Sequence, residues 1–178
     1  MENASLTAIA GITTGHVTDE FNLTGVTVVR FAGNGARAAI SVQGAAPGTR
    51  ETDLLEPGNL VERVHAIVLT GGSAYGLDAA SGVMAALEEE GIGLPVFEDT
   101  VVPIVPAAVL FDLSVGSSTV RPDNTWGYKA AKEATLSVTE GMWLANFVFL
   151  PIAIILLYNI SKENTNFDLS SYTNLFRK

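Results

Sequence analysis

All the glycines of this chain lie before residue 142. Residues 1–141 contain all 17 of them, and residues 142–178 contain none. The charge changes at the same point, from 7 basic and 17 acidic residues in the first segment to 3 basic and 2 acidic in the second. Glycine serves where a backbone turns sharply or approaches another element closely, so its loss indicates a change of architecture. We therefore predict two domains, residues 1–141 and residues 142–178.

The composition excludes several classes of function. The chain has no cysteine, which rules out disulfides, thiolate zinc sites and a cysteine nucleophile. The formal net charge is −9 and the basic residues do not cluster, so we expect no nucleic-acid partner. His16 and His65 have no second ligand at a fixed spacing, and we predict neither a metal nor a cofactor.

A β-hairpin is the first structure that the local pattern predicts. Residues 25–31 and 38–43 are short and strand-like, and Gly33-Asn34-Gly35 between them suits a tight turn, because Gly and Asn tolerate positive φ. A loop punctuated by Gly and Pro follows over residues 44–58. Its charged stretch, residues 50–53, is either a substrate-side loop or a solvated loop with local ion pairs.

Strands and helices alternate in the rest of the first domain. The apolar run at 65–70 predicts a buried strand, and apolar residues at helical spacing predict a helix from about residue 74 to residue 90. Residues 101–113 are apolar but contain two prolines, so we expect a broken or edge strand there and not a central one. A second helix is predicted over 125–136, beginning near Asp123. This alternation indicates an α/β or α+β fold.

The turn Gly71-Gly72-Ser73 between strand and helix is the sharpest chemical feature. A glycine-rich turn at a helix N-terminus can offer backbone N–H groups to an anion or an oxyanion. No lysine follows Gly76, which excludes a P-loop, and Tyr75 occupies the place of the second glycine in a nucleophile elbow. Both histidines precede Ser73, which disfavours a serine-hydrolase triad of that type. The alternative is a structural turn that lets strand and helix pack closely, with Ser73 capping the helix.

Two acidic features also have structural alternatives. Asp112 follows an apolar run and could end a strand at the edge of an active site, but a strand-terminating turn residue is the interpretation that we favour from its position alone. Residues 88–90 are three glutamates at the end of a helix, where we expect solvated surface. Composition and spacing thus indicate an α/β region without a closed catalytic constellation.

Seven stretches, in this order, resemble a known family. They are residues 11–16, 25–29, 44–55 (including Gly-Thr-Arg-Glu-Thr-Asp-Leu-Leu), 64–80 (including Gly-Gly-Ser-Ala-Tyr-Gly), 102–113, 121–123 and 127–131. The series is similar to the DmpA-type L-aminopeptidase/D-esterase family, which includes the nylon-oligomer hydrolase NylC, over about residues 8–136. Gln43 and Ala45 depart from the Arg and Gly expected at those positions.

The resemblance implies a layered α/β fold and an N-terminal-nucleophile hydrolase. Such a precursor cleaves itself, and a new N-terminal Ser or Thr then attacks amide or ester bonds of small peptides or amino-acid derivatives. Its own α-amine can act as the base, because the pKa of that amine lies near neutrality. In the family the cleavage site and the nucleophile lie downstream of where this match ends. The resemblance therefore implies a truncated α-chain portion that contains no catalytic residue of its own and is inactive alone.

The same resemblance implies which residues could face a substrate. They are Ser73 and Tyr75 in the glycine-rich turn, and Phe111 and Asp112 at a strand end. It also implies a small peptide or amide substrate, a homo-oligomer and a cytoplasmic location for the first domain.

The second domain begins with an uncharged apolar segment, residues 142–160. Asn146 and Asn159 are its only strongly polar residues, and Trp143 and Tyr158 stand near its ends like interfacial aromatics. As a helix it would span about 28 Å, close to the hydrocarbon thickness of a bilayer. We therefore predict a C-terminal apolar, transmembrane helix with the membrane as its partner. A buried helix or strand of a soluble core is the alternative.

The tail, about residues 141–178, resembles the C-terminal end of an LptF/LptG-type lipopolysaccharide-export permease. Residues 141–147 and 149–152 carry this likeness, and it implies a cytoplasmic C-terminus and, for a lone helix, no transport. The main hypothesis is a truncated hydrolase joined to a membrane helix. The alternative is a membrane-anchored, non-enzymatic protein related at its tail to a permease. A third hypothesis is a soluble α/β domain whose apolar tail completes its own core.

Overall fold

The computed structural model describes residues 5–134. These residues form a five-stranded sheet, a two-stranded sheet and two α-helices. The strands are β1 (Ile12–Asp19), β2 (Thr24–Phe31), β3 (Thr49–Arg50), β4 (Ala66–Thr70), β5 (Leu94–Phe97), β6 (Thr100–Val102) and β7 (Ala107–Val109), and the helices are α1 (Ala79–Glu89) and α2 (Asn124–Lys132). Three short 3-10 helices cover Leu6–Ala8, Asp53–Leu55 and Ser73–Asp78. The predicted mixed α/β class is confirmed over this range.

Strand β2 lies inside the large sheet, whose order is β1–β2–β4–β7–β3. β1 pairs with one edge of β2 and β4 with the other, both antiparallel. Because both edges are occupied, the predicted hairpin between 25–31 and 38–43 is wrong. Gly33 and Gly35 do turn the chain with positive φ, but the residues beyond them make a single bridge, between Ala36 and Val64. β1, one of the two strands that pair with β2, was not predicted.

Strands β4 and β7 are parallel neighbours, with Val68 opposite Ala107. Parallel strands end at the same edge of a sheet, so the segments that follow β4 and β7 emerge side by side. The broken strand predicted over 101–113 is confirmed, since β6 and β7 are separate. β7 is not an edge strand, however, because the two-residue β3 pairs with the side of β7 that faces away from β4.

Both α-helices pack on one face of the large sheet. The core is built mainly from small and β-branched side chains: Val26, Val28, Ala66, Val68, Ala79, Ala80, Val83, Ala86, Leu87, Val105, Ala107, Ala130 and Ala131. Side chains on alternate positions of β2 and β4 point into this core, as the period of a strand requires.

Glycines allow the helices to approach this closely. A Cβ on Gly82 of α1 would lie 1.7 Å from the carbonyl oxygen of Asn124, and one on Gly127 of α2 would lie 1.9 Å from that of Ala79. Gly15 does the same for β1, since its Cβ would lie 1.9 Å from the carbonyl oxygen of Ala130. The glycine content of the first domain is thus explained in part by backbone-to-backbone packing.

The ends of the helices differ in part from the prediction. Asp123 caps α2, accepting hydrogen bonds from the N–H groups of Thr125 and Trp126, as expected. The helix predicted from residue 74 instead begins as a 3-10 turn and becomes α-helical at Ala79. The glutamates at its end are not merely solvated surface, because Glu90 forms ion pairs with Arg30 and Lys132.

The predicted apolar helix at 142–160 and the permease-like tail lie outside the described residues, as does the boundary near residue 141. Within residues 5–134, no helix has both the length and the apolar character needed to cross a bilayer. Both predictions about the tail therefore stay predictions.

Candidate functional site

The turn after β4 has an unusual backbone. Gly72 and Ser73 both lie in the left-handed region, with φ of 82° and 54°. For a residue with a side chain, such as Ser73, this conformation costs roughly 1–2 kcal/mol. Gly71 is required for a different reason, since a Cβ there would lie 2.1 Å from Asp112 Oδ2 and 2.3 Å from Thr24 Oγ1. Strain of this kind persists only where the surroundings hold the backbone in place.

Asp112 is the residue that holds the turn. Its Oδ1 accepts a 2.7 Å hydrogen bond from the N–H of Gly72, and its Oδ2 accepts one of 2.8 Å from the hydroxyl of Thr24. The side chain thus joins the segment after β7 to the turn after β4 and to the start of β2. Asp112 does open a turn after β7, since its carbonyl accepts a 2.8 Å hydrogen bond from the N–H of Val115. Its carboxylate also makes long-range contacts, which the interpretation as a turn residue does not include.

The backbone N–H groups of the turn are not open to a ligand. Gly71 donates to the carbonyl of Gly25 and Ser73 donates to that of Leu110, both at 2.9 Å, and the N–H of Gly72 is bound by Asp112. Three consecutive donors are therefore satisfied within the fold, so the expected anion cradle is absent at residues 71–73. Ser73 does not cap the helix either, since no side-chain bond caps this 3-10 helix.

The turn instead presents side chains. Tyr75 is 60% exposed, and the guanidinium carbon of Arg121 lies 3.7 Å from the centroid of its ring. Phe111 is 76% exposed and stands between Leu110, which accepts from Ser73, and Asp112. Backbone contacts therefore bring the segments of all four predicted candidates to one end of the sheet, with Asp112 as a support and the others near the surface.

Arg121 was not predicted as part of this site. It belongs to the stretch 121–123 of the family-like series, but its sequence position gives no sign of a contact with Tyr75. Its Cβ packs on the turn as well, because a Cβ on Gly72 would lie 3.2 Å from it. Only the fold shows that this arginine and this tyrosine are neighbours.

The two histidines serve other purposes. His65 is 3% exposed and its Nδ1 accepts a 3.0 Å hydrogen bond from the N–H of Ile104; it is an internal tether between two segments. Nδ1 of His16 is 2.9 Å from Thr27 Oγ1, on the neighbouring strand. Burial lowers the pKa of both imidazoles, which keeps them neutral at pH 7. Neither hydrogen bonds to Ser73, and the described residues contain no cluster of three metal-binding side chains.

The charged loop at residues 50–53 is fixed by Arg50. Its guanidinium donates to Ser81 Oγ at 2.8 Å and to the carbonyl of Leu77, so it ties the loop to the start of α1. The expected local ion pairs are not found among the described residues. Arg50 therefore supports the start of the helix.

Comparison with known proteins gives the family. Residues 4–144 match the model of peptidase family S58. The chain belongs to peptidase family S58. The expected likeness to DmpA- and NylC-type hydrolases is thereby confirmed for the first domain, whereas nothing supports the likeness of the tail to a permease.

Three relatives illustrate how similar this chain is to known proteins. An uncharacterized aminopeptidase of Mycobacterium tuberculosis is 47% identical over 145 residues, which is 77% of this chain and 42% of the relative. One from Mycobacterium leprae is 49% identical over 138 residues, 73% of this chain and 38% of the relative. A 6-aminohexanoate-oligomer endohydrolase of Kocuria sp. is 36% identical over 124 residues, 70% of this chain and 32% of the relative. The chain spans less than half the length of these relatives.

Among solved structures, ornithine acetyltransferase from Mycobacterium tuberculosis is similar to this chain, with a TM-score of 0.49 and 18% identity. The likeness covers 79% of this chain and 76% of that one.

Proposed function

We propose that this chain is the substrate-facing part of a peptidase- or amidase-type hydrolase. The observation that carries the proposal is the strained turn at residues 71–75, which Asp112 holds and which presents an exposed tyrosine. Left-handed backbone at a non-glycine residue is concentrated at functional sites, where the surrounding structure stabilises it. Among the described residues, this turn is where we expect an amide substrate to bind in a member of peptidase family S58.

The side chains at the turn suit an amide. The hydroxyl of Tyr75 can donate a hydrogen bond to the carbonyl oxygen of a scissile bond, and such a bond strengthens as negative charge develops on that oxygen. The exposed ring of Phe111 offers an apolar contact for the rest of the substrate. Asp112 acts as a positioning residue, because its carboxylate is already bonded to Gly72 and Thr24.

The names of two relatives suggest the substrate class of this site. One relative is an aminopeptidase and another an endohydrolase of 6-aminohexanoate oligomers, and both names describe cleavage of an amide bond. We propose small peptides or oligoamides of amino acids as substrates of this chain's site, in a homo-oligomer.

The nucleophile, we propose, lies outside residues 5–134. The hydroxyl of Ser73 forms no hydrogen bond with another described residue, and the two histidines, His16 and His65, are bonded to Thr27 and Ile104. A hydroxyl without an adjacent base is a weak nucleophile. This supports a family mechanism in which self-cleavage creates the nucleophile. We further propose that the 178-residue chain alone does not turn over.

Incubation of the purified chain with a chromogenic amino-acid anilide tests this proposal. We expect no release of the chromophore by the chain itself. We expect release by a chimera that joins residues 1–136 to the remaining C-terminal part of the Mycobacterium tuberculosis relative. Turnover by the unprocessed 178-residue chain would contradict the assignment of the nucleophile.

From the sequence alone, we also propose that residues 142–160 anchor the chain in a membrane. Nineteen consecutive residues without a charge, with aromatic side chains near both ends, support this proposal. Alkaline-carbonate extraction of membranes from expressing cells tests it. Retention of the chain in the pellet is expected, and its release into the supernatant would count against the anchor and for an apolar tail that is buried in the protein.

A further inference from the structure

Arg121 is held in one position from three sides. Its guanidinium stacks on Tyr75, its Nε donates a 2.7 Å hydrogen bond to the carbonyl of Ser118, and its Cβ packs against Gly72. The next residue, Pro122, is fully buried, so the backbone at this point is fixed as well. A long side chain held in this way loses less entropy when it binds a partner.

The remaining N–H groups of this guanidinium have no partner among the described residues. Arg30 and Arg37 form ion pairs with Glu90 and Glu62, as expected in a chain with 19 acidic and 10 basic residues. No acidic residue in 5–134 lies within ion-pair distance of Arg121. Within residues 5–134 this guanidinium donates through Nε alone, so in this part of the chain both terminal nitrogens of the planar fork are available beside the exposed ring of Tyr75.

We propose that Arg121 binds the carboxylate group of an amide substrate at the turn. A guanidinium fork matches the two oxygens of a carboxylate with two parallel hydrogen bonds, which a single ammonium cannot do. The stacked tyrosine leaves the edge of the fork available and covers its face. This inference rests on the proposed function, and it adds a preference, among the amides bound at the turn, for those that carry a free carboxylate.

The negative net charge of the chain does not prevent such binding. Charges further away than about 8 Å are largely screened at physiological salt, whereas the contact between fork and carboxylate is direct. The nearest carboxylate in the site, that of Asp112, is already bonded to Gly72 and Thr24, so it does not compete for the fork. The side chain of Phe111, two residues beyond β7, is 76% exposed and offers an apolar surface to an alkyl chain at the same end of the sheet.

Binding of two matched probes to the full-length chain tests this inference without any need for turnover. The probes are 6-acetamidohexanoate, an amide with a free carboxylate, and 6-acetamidohexanamide, which differs only in that group. Titrations are followed in ¹H–¹⁵N correlation spectra through the amide signals of Gly72, Ser73 and Tyr75. We expect the carboxylate probe to bind at least about tenfold more tightly, the ratio that one charge-assisted hydrogen bond of about 1.4 kcal/mol provides.

Three variants complete the test. Arg121→Gln should remove the preference for the carboxylate, and Arg121→Lys, which keeps the charge and loses the fork, should retain only part of it. Arg63→Gln is the matched control, because Arg63 is an exposed arginine that donates to the carbonyl of Gly35 and also has no acidic partner in 5–134. Its preference should be that of the wild type. Spectra of each free variant show whether the fold is kept.

Equal affinity for the two probes would overturn the inference, and so would a preference that survives in Arg121→Gln. Failure of the carboxylate probe to shift the three signals at millimolar concentration would overturn it too. The proposed hydrolysis is tested separately by the anilide and the chimera, so an enzyme that turns over without a carboxylate preference would refute only this inference.

Discussion

The carboxylate of Asp112 accepts a 2.7 Å hydrogen bond from the backbone N–H of Gly72, a residue 40 positions earlier in the chain. The bond connects the segments that follow two parallel strands, β4 and β7, at the edge where both end. It also gives the left-handed turn at Gly72 and Ser73 a hydrogen-bond partner elsewhere in the fold. The geometry of the candidate site therefore depends on a side chain whose two carboxylate oxygens are both bonded within the fold.

Removal of this carboxylate should destabilise the first domain. Asp112→Ala loses the bonds to both Gly72 and Thr24, and we expect a loss of about 2–3 kcal/mol in the free energy of unfolding, since hydrogen bonds to a charged group are worth more than neutral ones. Asp112→Asn keeps one acceptor oxygen and should lose about half of this. Urea denaturation measures both. Asp99→Asn, in an exposed turn, is the control, and an equal effect in the two asparagine variants would argue against the role of Asp112.

Helix packing should fail when a methyl group is added at Gly127, where the backbones of α1 and α2 are in direct contact. In Gly127→Ala the new Cβ would lie 1.9 Å from the carbonyl oxygen of Ala79, so the two helices must move apart. We expect a loss of about 3 kcal/mol or more, although alanine is the better helix former by about 1 kcal/mol. Thermal unfolding measures it. Lys129→Ala, on the exposed side of the same helix, should change the unfolding free energy little, and a Gly127→Ala chain as stable as wild type would refute the close packing.

The ion pair between Glu90 and Arg30 predicts a dependence of stability on pH. Hydrogen bonding from Arg30, which is the largest cause, holds the pKa of Glu90 below its ordinary value of 4.5. A depressed pKa in the folded state contributes stability that is present above pH 4.5 and is lost as the pH falls through the folded-state pKa. The side chain is about one-third exposed, so solvent weakens the pair.

Glu90→Gln should therefore be less stable than wild type by about 0.5–1 kcal/mol at pH 7, and the two chains should converge in acid. Urea denaturation at a series of pH values measures the difference. Glu88→Gln, on the same helix end and without an ion pair among the described residues, should match wild type at every pH. A difference between wild type and Glu90→Gln that does not change below pH 4 would contradict this account.

Local sequence patterns sufficed for elements whose burial or capping can be recognised within a short run of residues. The strand at 65–70 and the capped helix at Asp123 are visible in short runs of residues, because burial and capping leave local signatures. The strand β1 was missed since Gly15 interrupts its β-branched run, and the reason for that glycine is a helix more than a hundred residues later. Pairing partners of β2 are likewise decided by distant segments, which is why the local hairpin at 25–43 was predicted wrongly.

The candidate site likewise depends on contacts that its local sequence does not reveal. Ser73, Tyr75, Phe111 and Asp112 were named from a family-like series, but what each does follows from contacts across the fold. The occupied N–H groups at 71–73 depend on Gly25, Leu110 and Asp112, and no local pattern contains that information. Arg121 was overlooked for the same reason.

The most direct test of the central claim is the hydrolysis of a chromogenic amino-acid anilide by the chimera of residues 1–136 and the C-terminal part of the Mycobacterium tuberculosis relative. Wild type is compared with Tyr75→Phe, which removes one hydroxyl from the proposed site. Tyr128→Phe is the control, since that hydroxyl donates to Glu89 on the exposed side of the helices. If the turn at residues 71–75 faces the substrate, kcat/KM should fall at least about tenfold in Tyr75→Phe, the effect of about 1.4 kcal/mol of lost transition-state stabilisation, and should stay near wild type in Tyr128→Phe. A Tyr75→Phe chimera as active as wild type, or a folded chimera that does not hydrolyse the anilide, would contradict the claim.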